Sequence, residues 1–287
     1  NDGTVDIVQH TNRSGAYSLT VINNNGNGTL SIGQNLTNVF VVNASNTTTA
    51  ASMTWADFNG DGYMDLYLGS SYNNNGGVIY YNDGTGKLSA TKSAVEASNA
   101  TAGYLSVAVD WNGDGQMDII KLSTYGGSQT ATLFTNSGYG STWTSSQLAS
   151  GIAYATGVAA VDYNWDGAQD LLVSQQNGKV VLVQNSKTIA DGTAMHLHIV
   201  DSEGINAYYG NTVNLYNAAG VLVASQIINA QSGIGSNDTS ALVNFYGLDP
   251  NETYSAEILK ITNGVSDNVT WSCLLYTSDA ADERSSV

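Results

Sequence analysis

The chain has 287 residues, 42% of them hydrophobic, with 31 glycines and one proline, a balance that suits strands and turns and excludes a disordered polymer. Eight basic against 24 acidic residues leave a net charge of −16, which excludes nucleic acid as a partner because that binding rests on Lys and Arg. No apolar run reaches the roughly 18 residues of a membrane-spanning helix, and the lone cysteine, Cys273, allows no disulfide within the chain.

The chain opens on Asp2-Gly3-Thr4-Val5-Asp6, the second half of a motif that follows complete three times. A turn-forming string, Asn24-Asn25-Gly26-Asn27-Gly28-Thr29-Leu30, comes 18 residues after Asp6. The apolar segment 52–56 then enters the first complete motif, Asp57-Phe58-Asn59-Gly60-Asp61-Gly62-Tyr63-Met64-Asp65, and 66–68 leaves it. Val78-Ile79-Tyr80-Tyr81 leads to a second turn, Asn82-Asp83-Gly84-Thr85-Gly86-Lys87-Leu88. The order repeats with 105–109, Asp110-Trp111-Asn112-Gly113-Asp114-Gly115-Gln116-Met117-Asp118 and the turn Asn136-Ser137-Gly138-Tyr139-Gly140. It repeats again with 158–161, Asp162-Tyr163-Asn164-Trp165-Asp166-Gly167-Ala168-Gln169-Asp170 and 171–173. Short apolar segments bounded by turn residues read as strands, so each motif is expected to join a β-hairpin and each unit to hold two hairpins. The ninth-position aspartates Asp6, Asp65, Asp118 and Asp170 lie 59, 53 and 52 residues apart. A strand-built period near 50 is that of a propeller blade. The expected fold is all-β: a partial β-propeller of about three and a half four-stranded blades over residues 1–188, then a small β-sandwich-like module over 189–272.

The motif also sets out a ligand field. Oxygens at positions 1, 3, 5 and 9, with a backbone carbonyl at 7, suit Ca2+, which takes six to eight oxygens at about 2.3–2.6 Å. The candidate ligands are Asp57, Asn59, Asp61, the Tyr63 carbonyl and Asp65; Asp110, Asn112, Asp114, the Gln116 carbonyl and Asp118; Asp162, Asn164, Asp166, the Ala168 carbonyl and Asp170; and, from the broken copy, Asp2, the Thr4 carbonyl and Asp6. The Gly after position 5 permits the sharp turn that brings the later ligands round. An EF-hand would need a bidentate Glu at position 12 and flanking helices; position 12 is Leu68, Lys121 or Val173, between strands. A plain Asn-Gly turn has no need of a ninth-position Asp. Two carboxylates about 4 Å apart repel by roughly 4 kcal/mol at an effective dielectric near 20, so loops without metal are expected to be poorly ordered and Ca2+ to stabilise the fold. Eleven of the acidic residues are these loop aspartates, and four bound Ca2+ would bring the charge from −16 to near −8.

At these residues the chain resembles the FG-GAP or VCBS-type repeat of integrin-like β-propellers, over residues 1 to about 186. The Phe-Gly…Gly-Ala-Pro string that names the family is absent, so the likeness is to its calcium-loop variants. The resemblance implies blades about an axis, one Ca2+ in each loop, and a secreted or cell-surface protein. Propellers close with four to eight blades, so the chain is expected to hold an incomplete one, and its start inside a motif is expected to mark a piece of a longer protein.

After Asn185 the loops stop and alternating strands are expected around 195–200, 213–216, 221–224 and 241–245, with a turn at Asn217-Ala218-Ala219-Gly220. Residues 231–238, followed by Val243-Asn244-Phe245-Tyr246-Gly247-Leu248, are similar to the ASPIC/UnbV module that often follows FG-GAP repeats. Residues 273–283 resemble translated sequencing adapter, and 273–287 are expected to be a non-native tail.

For function, no nucleophile motif, Gly-x-Ser-x-Gly string or phosphate loop is visible. His196-x-His198 reads as a pair of exposed strand histidines without a third ligand. Trp111, Trp143 and Trp165, in or beside the loops and turns, are candidates for a sugar-binding face. The expected protein is non-catalytic and extracellular, acting in adhesion or recognition of a cell-surface protein or carbohydrate; the alternatives are an accessory region of a polysaccharide-degrading enzyme and a lectin-like propeller.

Overall fold

Among the described residues every regular element is a β-strand, in keeping with the short apolar segments and dense turn residues. The structure, a computed structural model, describes residues 6–13, 16–37, 51–70, 77–95, 105–124, 130–164, 166–187, 193–200, 203–204, 211–228, 242–259, 261–262, 265–266 and 269–274.

Four sheets follow one another along the chain, each an antiparallel meander. The first holds β1 (Ile7–Arg13), β2 (Ala16–Asn24) and β3 (Leu30–Thr37). The second holds β4 (Ala51–Ala56), β5 (Asp65–Ser70), β6 (Val78–Asn82) and β7 (Leu88–Ala94). The third holds β8 (Leu105–Val109), β9 (Asp118–Leu122), β10 (Thr130–Ser137) and β11 (Thr142–Ser150). The fourth holds β12 (Ala155–Val161), β13 (Asp170–Gln175) and β14 (Val180–Val183). They are the blades of a partial β-propeller; among the described residues two have four strands and two have three. The turns expected at Asn24, Asn82 and Asn136 join β2 to β3, β6 to β7 and β10 to β11.

β4, β8 and β12 lie side by side across the blade boundaries. Thr54 Oγ1 and Ser106 Oγ are 2.6 Å apart there, both buried, one repeat apart in sequence. The apolar cores lie between blades. Leu19, Val21, Leu66 and Tyr80 fill the first boundary, Phe58, Tyr67, Ile119 and Phe134 the second, and Val107, Ile120, Val158 and Leu171 the third. This is sheet-on-sheet packing repeated. A strand enclosed by two neighbours is covered on both faces, and β9 is buried at every residue, with Ile119, Ile120 and Leu122 in the cores and Lys121 buried beside them. β13 instead alternates, with Leu171 and Val173 buried and Leu172 44% exposed.

The C-terminal module contains β15 (Met195–His198), β16 (Thr212–Asn217), β17 (Leu222–Ile227), β18 (Leu242–Phe245), β19 (Thr253–Leu259), a small hairpin of β20 (Ile261–Thr262) and β21 (Val265–Ser266), and β22 (Val269–Leu274). β15 pairs with β18, and β17-β16-β19-β22 form a second sheet. Met195, Val243 and Phe245 of the pair share a core with Val213, Leu215, Tyr254 and Ile258 of the sheet, which makes the module sandwich-like. β22 pairs with β19 through Cys273 and Leu274, so the ladder runs two residues past the expected module end at 272. Residues 231–238 and 275–287 lie outside the described residues.

Candidate metal centres

The three complete motifs occupy one kind of position. Ala56 pairs with Asp65, Val109 with Asp118 and Val161 with Asp170, so positions 1–8 connect the hairpin and position 9 opens the returning strand.

Position 1 gathers the loop. Asp57 Oδ1 accepts N–H bonds from Gly60 at 2.7 Å and Asp61 at 3.1 Å, and its Oδ2 accepts from Gly62 at 2.8 Å. Asp110 does the same with Gly113, Asp114 and Gly115 at 2.8, 3.1 and 2.7 Å. Asp162 accepts from Asp166 at 3.2 Å and Gly167 at 2.9 Å. The chain can present these amides because the sixth residue takes a left-handed conformation, with φ of +89° at Gly62 and +85° at Gly115 and Gly167.

Positions 3, 5 and 7 interlock. The carboxamides of Asn59, Asn112 and Asn164 donate to Asp61, Asp114 and Asp166 at 2.8, 2.9 and 2.6 Å. The N–H groups of Tyr63, Gln116 and Ala168 donate to the same aspartates at 2.9 Å each.

Position 9 ties the loop to the rest of its blade. Asp65 accepts from the Phe58 N–H at 3.0 Å and the Asn82 N–H at 2.8 Å. Asp118 accepts from Trp111 and Asn136 at 3.0 and 2.8 Å, and Asp170 from Tyr163 and Asn185 at 3.3 and 2.7 Å. Asp6 of the broken copy keeps the equivalent bond, from the Asn24 N–H at 2.9 Å. Asp2 and Thr4 lie outside the described residues.

These bonds assign a role that spacing alone did not disclose. The Asn136 carboxamide donates to the Met117 carbonyl at 3.2 Å within its own blade and to the Phe58 carbonyl at 2.9 Å in the blade before. Asn185 does the same with the carbonyls of Gln169 at 3.2 Å and Trp111 at 2.9 Å. Each clamps one loop to the previous one. The sequence signal was an Asn at a near-constant distance after the ninth Asp, which marked a turn without revealing the clamp.

Electrostatically the loops are under strain. Burial pushes Asp57 and Asp110 up to about 6 against the lowering effect of their amide bonds, with Asp61 and Asp114 adding repulsion. Burial pushes Asp65 and Asp118 up to about 7. Among the described residues no three acidic, histidine or cysteine side chains are drawn as close as a closed cage requires; the carboxylates are turned onto backbone amides instead. The residues nonetheless fit a hard cation by donor chemistry: every candidate atom is oxygen, all three carboxylates of each loop accept backbone N–H bonds at the hairpin end, and the position-5 carboxylate is exposed at each loop.

Neither Trp111 nor Trp143 stands free on the surface. Trp111 is buried in a blade core, and Trp143 packs edge-on to Phe58 at 5.9 Å with its Nε1–H on the Gly140 carbonyl. Trp165 lies outside the described residues. Among the described residues the exposed aromatics of the loops and turns are Tyr63, Tyr139, Tyr154 and Tyr163. His196 and His198 are exposed, and His196 Nδ1 sits 2.8 Å from Asn244 Oδ1.

A family model for the FG-GAP-like repeat matches residues 1–68, 57–121 and 110–173, each window running from one motif through the next. No curated protein matches the chain. Among solved structures, a lectin of Agrocybe aegerita described for specific recognition of non-reducing terminal N-acetylglucosamine aligns with 94% of this chain and 85% of its own at 16% identity. Its TM-score of 0.39 is too loose a likeness to bear on fold or ligand.

Proposed function

The chain belongs to the FG-GAP-like repeat family, and from that premise we propose that its loops bind Ca2+ and brace a non-catalytic propeller of a secreted or cell-surface protein that acts in recognition or adhesion. The observation that carries this is the threefold recurrence of one all-oxygen donor set on one hairpin end; in the two loops at 57–65 and 110–118, burial raises the carboxylates at positions 1 and 9. Asp57, Asn59, Asp61, the Tyr63 carbonyl and Asp65 would hold one ion. The sets from 110 to 118 and from 162 to 170 would hold two more, and Asp6 belongs to a fourth. The ion supplies charge neutralisation. The protein's own residues supply the turn, the amide bonds that orient Asp57 and Asp65, and the Asn136 and Asn185 clamps that carry loop order into the next blade. In this reading the C-terminal module is the ASPIC/UnbV companion of the propeller.

Calorimetry with Ca2+ and melting with and without chelator test the proposal. Binding at the three complete loops is expected, with a higher melting temperature in Ca2+. Each site contributes about 2.7 kcal/mol at a ligand concentration 100 times Kd. A melting curve indifferent to chelator would overturn it.

A further inference from the structure

The C-terminal module sits on the loop end of the blades. Gly62 faces Leu222 and Ser225 of β17 so closely that a Cβ there would meet Leu222 Cδ2 and force that side chain to move. A Cβ on Gly115 would stand 3.2 Å from the Tyr246 carbonyl oxygen, and one on Gly247, where φ is +67°, would stand 2.7 Å from the Asp114 carbonyl carbon. Gln226 Nε2 lies 3.9 Å from Met117 Sδ. The sixth-position glycines thus make the loop turn and also let the module approach.

Tyr246 stands at the centre of this contact. It is 4% exposed, and its hydroxyl is buried without a hydrogen-bond partner among the described residues. It borders a cavity of about 20 Å³ whose walls include Asp57, Asp110, Gln116 and Phe245. That is room for a water molecule, given polar walls. Burial first, and then the carboxylates of Asp162 and Asp110, push its pKa well above the usual tyrosine range. A hydroxyl buried with no partner costs free energy, and this residue shares its cavity with Asp57 and Asp110 of two acidic loops in the blades.

We propose that Tyr246 completes the cation site of loop 110–118 from the module side, so that cation loading and docking of the C-terminal module are one linked equilibrium. The proposal rests on the calcium reading of the loops. A hydrated cation brings polarised water into the cavity, which gives the Tyr246 hydroxyl the partner it lacks and offsets the carboxylate charge against which the module packs. Linkage then requires that whatever strengthens docking strengthens cation binding by the same factor.

Hydrogen exchange on the full chain, with Ca2+ and with chelator, reads docking at residues 222–227 and 243–247 while calorimetry reads affinity. Ca2+ is expected to slow exchange in both segments by at least about fivefold, the lower end of ordinary coupling. Tyr246→Phe keeps the ring; it should weaken Ca2+ by about tenfold, as loss of a supporting partner does, while leaving the chelated protein as stable as before or more so. Leu222→Asp undocks the module without touching a ligand, and should weaken Ca2+ by the same factor by which Ca2+ slows exchange. If calorimetry detects no Ca2+ binding, the calcium reading fails and this inference with it. If Ca2+ binds yet exchange at 222–227 and 243–247 is unchanged, or both variants bind Ca2+ like the parent, the inference alone is overturned.

Discussion

Asn136 and Asn185 each spend one buried side chain on two carbonyls in different blades, and the bonds to the Phe58 and Trp111 carbonyls of the preceding blade are buried. Removing such a donor leaves buried acceptors unsatisfied, a loss of roughly 1–3 kcal/mol. Asn136→Ala and Asn185→Ala are therefore expected to lower the urea midpoint clearly. Asn82→Ala should do so less, since its carboxamide donates to the Met64 carbonyl and accepts from the Gly84 N–H, both within its own blade. Equal losses at all three would remove the clamp. The loop aspartates make a second residue-scale prediction. Burial raises Asp57 and Asp110 to about 6 and Asp65 and Asp118 to about 7, from an unfolded value of 3.8. Between about pH 4 and 7 the folded chain without metal therefore holds more protons than the unfolded one, and its stability must fall as pH rises. In chelator, the melting temperature should drop from pH 5 to 7.5; with excess Ca2+, which binds the ionised carboxylates, the drop should vanish or reverse. A rise in chelator over that range would contradict the raised values.

At the scale of elements, the strands and their order were legible because the cause is local. Five or six apolar residues between turn strings pair as hairpins whatever surrounds them, and the Asn-rich turns at 24, 82 and 136 lie where their spacing put them. The four-stranded blade was legible too, from two hairpins per unit, but the depth of each strand was not, since that depends on neighbours in space. Ile120 and Leu172 make the point: each is the second residue after a ninth-position Asp, yet Ile120 is fully buried and Leu172 is 44% exposed. β9 lies between blades, while one face of β13 is open among the described residues. Ile120→Ala should accordingly cost about 2–5 kcal/mol, as core truncations do, and Leu172→Ala well under 1 kcal/mol, as surface changes do. Chemical denaturation of the two variants decides it, and similar losses would mean that β13 is covered. Trp111 and Trp143 were misjudged for the same reason. Their positions beside turns hinted at exposure, but the blade-to-blade core had room for large rings and took them.

For the whole molecule, charge and contact act together. A net charge of −16 is concentrated at one end of the blades by the loop aspartates, and the C-terminal module packs against that end through Leu222, Gln226, Tyr246 and Gly247. Joining two modules across clustered carboxylates is unfavourable unless the charge is offset, which is why cation loading and docking are expected to rise and fall together. The donor types, the period near 50 and the all-β character stand in the sequence itself, because oxygen chemistry and strand pairing are properties of residues a few positions apart. That Asn136 reaches back 78 residues to Phe58, that Ile120 and Leu172 part ways, and that Tyr246 meets the loops of another module were decided only when the chain folded. Those contacts join residues whose separation in sequence carries no information about their separation in space.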